Sequence, residues 1–415
     1  MNGLDATGIA EAVGSGAITP ALVAEHFIGR IGIDEPDIQA FASFDAEAVR
    51  NQALGFCAGL LAGVPVGVKD IFDTADHPTE FYSPIYQGNR PSRDAHVVTL
   101  LRQAGAIIMG KTHTTEFAYM HTGPTRNPLD LSRTPGSSSA GSAAGMAAGF
   151  FPLALGTQTA GSLLKPAAYC GLYAFKPSFG LVSLEGVKPL APSFDTVGWY
   201  GRSVRDLERV ARVLIPGFPA VEAGRRPLRL GFCRTSRWSD VQPVVAQAIE
   251  LAIARLGPLV SEVVLPEAFD GVFDDHQLIN DCEGARSLAK EFQSYPELLS
   301  DSMLAMIERA KATSWEQESA AKARLAQLAP QLAQICQPFD AMLSVSCGML
   351  APVGLEITGP SDFIKFWGAF GLPQVNVPVA RGEGELPVGL QVIGAFRGDA
   401  SLLSAAQVIV DALVS

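Results

Sequence analysis

The chain has 415 residues, of which 48% are hydrophobic and 18% charged, and its formal net charge is -11 at pH 7. The apolar content excludes a disordered chain, and the negative charge disfavours a nucleic-acid partner, because phosphate binding needs a basic face. The longest apolar stretch, residues 143–156, is too short to cross a bilayer, and the six cysteines form no C-x-x-C pair. Since an acidic N-terminus stands where a signal peptide would be basic, we expect a soluble cytoplasmic protein with reduced thiols and no membrane partner.

The N-terminal segment is predicted to be helical. Residues 6–13 form one predicted helix. Thr19 and Pro20 fit the N-cap and the first helical position of a second helix, which continues over residues 21–31. The chain is therefore expected to enter its fold through a pair of helices.

From residue 65 onward, short apolar runs alternate with helical patterns. The predicted strands lie at 65–69, 106–109 and 152–155. The predicted helices between them are one that Asp94 caps and that ends at Gln103, and a helix of small residues over 142–148. This alternation indicates a parallel or mixed sheet that is covered on both faces.

A Pro- and Gly-rich stretch at residues 215–227 precedes a region of long helices. These helices are predicted at 244–256, 276–292 and 315–332, and they are followed by strands at 341–346, 374–379 and 389–393 and a capped helix at 399–413. Because the late strands have no sheet of their own, we interpret residues 215–227 as a loop within one fold. The predicted fold class is therefore α/β, a single domain with a large mixed β-sheet sandwiched between α-helices.

Three short stretches carry the residue types of an acyl-transfer site. They are Gly67-Val68-Lys69-Asp70, Pro135-Gly136-Ser137-Ser138-Ser139-Ala140-Gly141-Ser142 and Gly156-Thr157-Gln158-Thr159-Ala160-Gly161-Ser162. Attack on an amide carbonyl needs an activated oxygen nucleophile, a base and crowded backbone N–H groups, which small residues permit. Burial at the end of an apolar strand would lower the pKa of Lys69 until it can accept a proton.

Each stretch also has a simpler interpretation. Lys69 could pair with Asp70 or Asp73, and the serine run could be a flexible loop before a helix. No phosphate-loop pattern and no G-x-S-x-G elbow is present in the sequence. The six histidines show no zinc-binding spacing, so we predict no metal and no cofactor, whereas counting alone leaves a Ser-His-Asp triad open.

In order and spacing, the three stretches closely resemble the amidase signature family. The resemblance implies a Ser-cisSer-Lys triad, in which Ser162 attacks and Ser138, on a cis peptide bond, relays the proton to neutral Lys69. It also implies an oxyanion hole made by the backbone N–H groups of Thr159, Ala160, Gly161 and Ser162. No cofactor is implied.

Several residues depart from the family pattern. Ser137 and Ala140 replace glycines, so three consecutive serines compete for the bridging role, and the spacing of 24 positions before Ser162 selects Ser138. Ala160 also replaces a glycine, which is tolerable only if its φ angle stays negative.

Further positions are assigned by the resemblance as supporting or substrate-binding residues. Thr157 and Asp195 are expected to support the site. Lys165 occupies the position where malonamidase-like members place an arginine that holds a substrate carboxylate, and its alternative is a solvated lysine. Tyr119 and His121, in the loop before the serine run, either line the substrate pocket or simply pack.

The resemblance covers nearly the whole chain, residues 1–415, as one amidase signature domain. Its core spans about 60–200 and 341–415, and a variable helical region at about 216–340 shapes the substrate pocket. The implied activity is cleavage of the C–N bond in a small, carboxylate-bearing amide through an acyl-enzyme on Ser162. The alternatives are a hydrolase of urea-derived, biuret-like amides, the amidase subunit of a tRNA-dependent amidotransferase, and an inactive binding homologue. Assembly as a homodimer stays open, and the sequence does not give the amide's identity.

Overall fold

A single sheet of eleven strands organises the chain in a computed structural model, which describes residues 3–55, 57–221, 227–381 and 386–414. The strands of the described residues are β1 Phe41–Phe44, β2 Pro65–Lys69, β3 Ile107–Thr112, β4 Leu153–Gln158, β5 Tyr173–Lys176, β6 Thr196–Gly201, β7 Leu230–Phe232, β8 Val260–Glu262, β9 Ala341–Val345, β10 Gln374–Arg381 and β11 Pro387–Ile393.

Fourteen α-helices connect and cover these strands in the described part of the chain. They are α1 Ala6–Gly14, α2 Pro20–Ile38, α3 Ala46–Leu54, α4 His96–Gln103, α5 Ala140–Ala147, α6 Leu164–Cys170, α7 Val204–Leu214, α8 Pro243–Leu256, α9 Val272–Ser287, α10 Ala289–Ser294, α11 Asp301–Lys311, α12 Trp315–Cys336, α13 Asp362–Gly368 and α14 Asp399–Val414.

The sheet is mixed, with strand order β1-β3-β2-β4-β6-β5-β10-β11-β9-β7-β8. Strand β2 lies between β3 and β4 and runs parallel to both. The carboxyl ends of these three strands therefore meet at one edge, where Lys69 ends β2 and Gln158 ends β4. Because the loops that follow such ends often carry function, this edge is the place to look for a site.

Helices cover both faces of the sheet. Strands β2, β4 and β11 are buried along their whole length, which requires packed material on either side. Helices α5 and α6 contact each other and the strands near β4 and β11, whereas α7, α8 and α14 form a second connected group. The predicted α/β fold with one large mixed sheet is confirmed, since the late strands β9, β10 and β11 join the same sheet as β2.

Several predicted elements are confirmed in detail, and some are corrected. Strand β2 has the predicted bounds, and Thr19 caps α2 by accepting a hydrogen bond from the Leu22 N–H at 3.2 Å. Asp94 does not cap α4, which begins at His96. Its carboxylate instead accepts from the Ala75 N–H at 2.8 Å and from Arg102 Nε at 2.9 Å.

In the region between β6 and β9, two further differences appear. The helix predicted over 276–292 is divided, because α9 ends at Ser287 and α10 begins at Ala289. Of the loop predicted at 215–227, residues 222–226 lie outside the described residues. The rest of the described region is helical apart from the short strands β7 and β8.

Candidate active site

Lys69 lies at the end of β2 and is completely buried. Its Nζ atom donates hydrogen bonds to Ser138 Oγ at 2.7 Å and to Thr157 Oγ1 at 2.8 Å. Burial lowers the pKa of Lys69 well below that of an ordinary lysine, and the negative charge of Asp195 opposes that shift only in part. Lys69 is therefore placed to accept a proton, with two hydroxyl groups to orient it.

Asp70 does not pair with Lys69. Its carboxylate lies 2.9 Å from the Nζ atom of Lys111, and both side chains are buried. Asp73 makes no ion pair with Lys69 among the described residues either. The simpler interpretation of Lys69 as one half of a strand-end ion pair is therefore wrong.

The serine run divides its contacts between Lys69 and Ser162. Ser138 is buried in the turn before α5 and contacts Lys69, whereas Ser137 Oγ lies 3.0 Å from Ser162 Oγ. Spacing alone assigns both contacts to Ser138. The described geometry distributes them over two adjacent serines, so Ser137 is a site residue that the sequence did not select.

The cis peptide bond expected at Ser138 is absent, because all peptide bonds between described residues are trans. A trans bond is the ordinary form, since the cis form of a non-proline peptide costs about 2.5–4 kcal/mol. The "cisSer" part of the expected triad is therefore corrected.

Residues 159–162 form a turn directly after β4, at the same sheet edge as Lys69. No hydrogen bond among the described residues has the backbone N–H of Ala160, Gly161 or Ser162 as its donor. Ala160 is absent from the described non-glycine residues that have positive φ, as its substitution for glycine requires. A Cβ atom at Gly161 would lie 2.7 Å from Ser361, so only glycine fits there. The segment presents free N–H donors without side-chain obstruction.

Asp195 and Thr157 hold the neighbourhood of this turn. Asp195 is buried and accepts hydrogen bonds from Thr159 Oγ1 at 2.6 Å and from the Leu190 N–H at 2.8 Å. Burial raises the pKa of Asp195, and these hydrogen bonds oppose the shift. Thr157 accepts from Lys69, as described above. Both residues therefore make the kind of supporting contact that the sequence predicted.

A cavity of about 410 Å³ opens over Ser162. Ser137, Ser162 and residues 159–161 form one part of its wall, and charged side chains form another. The charged and polar residues that the sequence did not identify are Arg309, Ser361, Asp362 and Lys365. Arg309 belongs to α11 and the other three lie at or near the start of α13. The variable helical region and the loop before α13 thus complete the wall.

Lys165 lines this cavity with only 2% of its surface exposed. Its Nζ atom donates to the Gly359 carbonyl at 2.6 Å and to Thr358 Oγ1 at 3.2 Å. Burial lowers the pKa of Lys165 to about 8, and Cys347 opposes that shift. The alternative of a solvated surface lysine is therefore wrong.

Of the two aromatic candidates, only one lines the cavity. The Tyr119 hydroxyl accepts from Arg309 Nη2 at 2.7 Å and donates to Asp281 Oδ1 at 3.3 Å. His121 is exposed, stacks on Tyr82 with 5.9 Å between ring centroids, and is not among the lining residues. Its expected contact with substrate is wrong, because the loop turns this side chain away from the cavity.

No group of three His, Cys, Asp or Glu residues that could hold a metal ion occurs within the described ranges. All six cysteines are free. Of the helices that the structure describes, none combines the length and apolar character that a membrane crossing needs.

Comparisons with known proteins match this geometry. Residues 23–403 match the family model described as Amidase. A glutamyl-tRNA(Gln) amidotransferase subunit from Symbiobacterium thermophilum is 38% identical over 309 residues, which are 66% of this chain and 63% of that protein. The chain therefore spans a little under two thirds of the length of that relative. The corresponding protein from a Nostoc species is 32% identical over 443 residues, which are 90% of each chain.

Two solved structures superpose on almost the whole chain. A crystal structure of an amidase has a TM-score of 0.89 and 29% identity, with 99% of both chains covered. A vestigial protein complex that reveals the evolutionary origins of an s-triazine catabolic enzyme gives a TM-score of 0.89 and 27% identity, with 98% of both chains covered.

Proposed function

The chain belongs to the amidase signature family, and on that premise we propose that it hydrolyses the C–N bond of a small, carboxylate-bearing amide through an acyl-enzyme on Ser162. One observation carries this proposal. A buried Lys69 of lowered pKa is hydrogen-bonded to Ser138, beside a cavity that holds Ser162. A neutral amine in contact with a hydroxyl is a general base ready for use.

The proposed reaction proceeds in two halves. Ser162 Oγ attacks the amide carbonyl while its proton passes through Ser138 to neutral Lys69, and the negative oxygen is bound by backbone N–H groups of residues 159–162. The C–N bond then breaks, and the proton returns from Lys69 to the leaving amine. Water attacks the resulting ester with the same base, which releases the acid and restores Ser162. Ser137 holds the Ser162 hydroxyl before attack.

Lys165 supports the preference for a carboxylate. An ammonium group has three N–H donors, and two of them are occupied by Gly359 and Thr358. The third can reach a substrate anion in the cavity. Lys365 and Arg309 add positive charge to the same wall, although Arg309 is paired with Asp281 at 2.7 Å. A substrate with a carboxylate near its amide would be held in attack geometry by this wall.

Three rival functions follow from the comparisons and the family. Similarity to the amidotransferase subunits favours a glutaminase that passes ammonia to a partner, and activity that needs a second protein would reveal it. Similarity to the complex linked with s-triazine catabolism favours urea-derived amides such as biuret. An inactive binding homologue is the third, and the contact between Lys69 and Ser138 argues against it. The six free thiols support the proposal of a cytoplasmic location, and sedimentation would test the homodimer.

The test combines a covalent probe with a substrate screen. A fluorophosphonate should label wild-type protein at Ser162, as mapped by mass spectrometry, and Ser162→Ala should prevent labelling. A set of small amides in matched pairs, with and without a carboxylate, should show turnover with the charged member preferred. Biuret and glutamine belong in the same screen. Absence of both labelling and turnover would refute the proposal.

A further inference from the structure

His276, on α9, reaches the oxyanion segment from the variable helical region. Its Nε2 atom lies 3.2 Å from the carbonyl oxygen of Thr159, and its side chain is completely buried. We propose that His276 is a positioning residue, which aims the backbone N–H of Ala160 at the reacting carbonyl oxygen by holding the Thr159 carbonyl. This inference rests on the proposed amide hydrolysis at Ser162.

The geometry of the peptide unit transmits the effect. The Thr159 carbonyl and the Ala160 N–H belong to one planar trans unit, in which C=O and N–H point in opposite directions. A bond that fixes the carbonyl toward His276 therefore turns the N–H away from His276. Thr159 and Ala160 both line the cavity that holds Ser162, and no bond between described residues uses the Ala160 N–H. That donor is consequently free for the substrate.

Only one form of the imidazole ring fits this contact. A carbonyl oxygen can only accept, so Nε2 must carry the hydrogen. Nδ1 is buried and has no hydrogen-bond partner in the described part of the chain. Burial lowers the pKa of His276 to about 3, and the positive charge of Lys365 adds to that shift. The ring is thus a neutral donor with one fixed direction.

Two further contacts fix Thr159 and the ring. Asp195 accepts a hydrogen bond from the Thr159 side chain at 2.6 Å, so Thr159 is held through its hydroxyl and its carbonyl at once. The His276 ring stacks on Phe194 with 4.0 Å between centroids and 16° between planes. A residue held on two sides by separate elements cannot rotate its peptide, and such preorganised donors stabilise a developing oxyanion.

The experiment compares two substitutions at this position. His276→Leu removes the donor, whereas His276→Gln keeps an amide N–H close to the place of Nε2. We expect kcat to fall about 10- to 100-fold in His276→Leu, somewhat less than loss of a direct oxyanion donor costs, with KM nearly unchanged. Fluorophosphonate labelling of Ser162 should slow in parallel. His276→Gln should recover most of the loss.

Phe194→Leu is the matched control, because it removes the ring stack and leaves the hydrogen bond. It should lower the midpoint of thermal unfolding without reproducing the loss of kcat. Equal kcat in wild type and His276→Leu would overturn the inference, as would a His276→Gln variant that is as slow as His276→Leu. Wild type without labelling or turnover would instead refute the hydrolase proposal, so the two failures are distinguishable.

A measurement on the wild type alone covers the case in which His276→Leu does not fold. The ¹⁵N spectrum of histidine-labelled protein should contain a neutral imidazole with hydrogen on Nε2, shifted by a phosphonate that occupies the oxyanion hole. A His276 ring that carries its hydrogen on Nδ1, or that is protonated near pH 7, would overturn the assignment.

Discussion

Lys69 Nζ and Ser138 Oγ are joined by a 2.7 Å hydrogen bond in the interior of the protein, and no carboxylate of the described residues forms an ion pair with the lysine. Burial without a paired counter-charge favours the neutral amine, because a buried ammonium loses its hydration. The arrangement turns a residue that is usually a surface cation into a base.

The first prediction is the pH dependence that this contact imposes. Activity should fall as the pH is lowered, because Lys69 takes up a proton and ceases to be a base, and kcat/KM plotted against pH should show this acidic limb well below 10.5. Lys69→Met should lower kcat by about 10²–10⁴-fold and abolish the limb.

Stability should follow the same titration. The unfolded chain binds the Lys69 proton more readily than the folded protein does, so the free energy of unfolding should decrease as pH falls from 10.5 through the folded pKa. Lys69→Met should remove that contribution, which urea titrations at several pH values measure. A Lys69→Met variant with the wild-type rate and pH profile would contradict the lysine base.

The second prediction separates Ser137 from Ser138. Ser138→Ala breaks the contact with Lys69, so turnover should fall by about 10²–10⁴-fold, since the proton from Ser162 has no path to the base. Ser137→Ala removes only the hydroxyl that holds Ser162, and a smaller loss is expected. Single-turnover kinetics with both variants would measure the difference. If Ser137→Ala proved the more damaging change, Ser137 would be the bridge.

How far the sequence reaches is clear from these same residues. Lys69, Ser138 and Ser162 lie in short motifs of strong local pattern, so their meeting at the ends of β2 and β4 was predictable from parallel strands. The division of contacts between Ser137 and Ser138 was not, because a shift of one residue leaves the spacing almost unchanged. His276 contacts Thr159 across 117 positions of sequence, and no local signal marks it.

The fold shows the same division between local and long-range information. The β2 strand was predicted to the residue, whereas β7 and β8 have only three residues each, too few for a periodic pattern. The strand order, in which β10 pairs with β5, depends on hydrogen bonds between distant segments. Lys165 likewise looks like a solvated lysine until Thr358 and Gly359 are brought onto it.

The third prediction concerns the space around the oxyanion segment. A Cβ atom at Gly161 would lie 2.7 Å from both Cβ and Oγ of Ser361, so Gly161→Ala should displace the segment and lower kcat. Ser361→Gly removes both atoms, and the double variant should recover activity that Gly161→Ala loses. A double-mutant cycle on kcat measures this coupling. Additive losses would show that steric contact with Ser361 is not the cause.

The last prediction concerns substrate choice and depends on Lys165. If its ammonium holds the substrate anion, Lys165→Ala should raise KM for a carboxylate-bearing amide much more than for a neutral amide of similar size. Lys165→Arg should preserve the preference, because guanidinium can bind a carboxylate through two parallel hydrogen bonds.

The pKa of Lys165 provides an independent readout of the same contact. Because that pKa is about 8, the charged fraction falls as the pH rises through this value, and the preference for the charged amide should fall with it. Neutral amides should show no such change, and Lys165→Arg should keep its preference at higher pH. Measuring kcat/KM for one matched pair of amides across this range tests the assignment. Equal pH profiles for the two substrates would show that Lys165 serves only to anchor Gly359 and Thr358, and the selectivity of the cavity would then rest on Lys365 and Arg309.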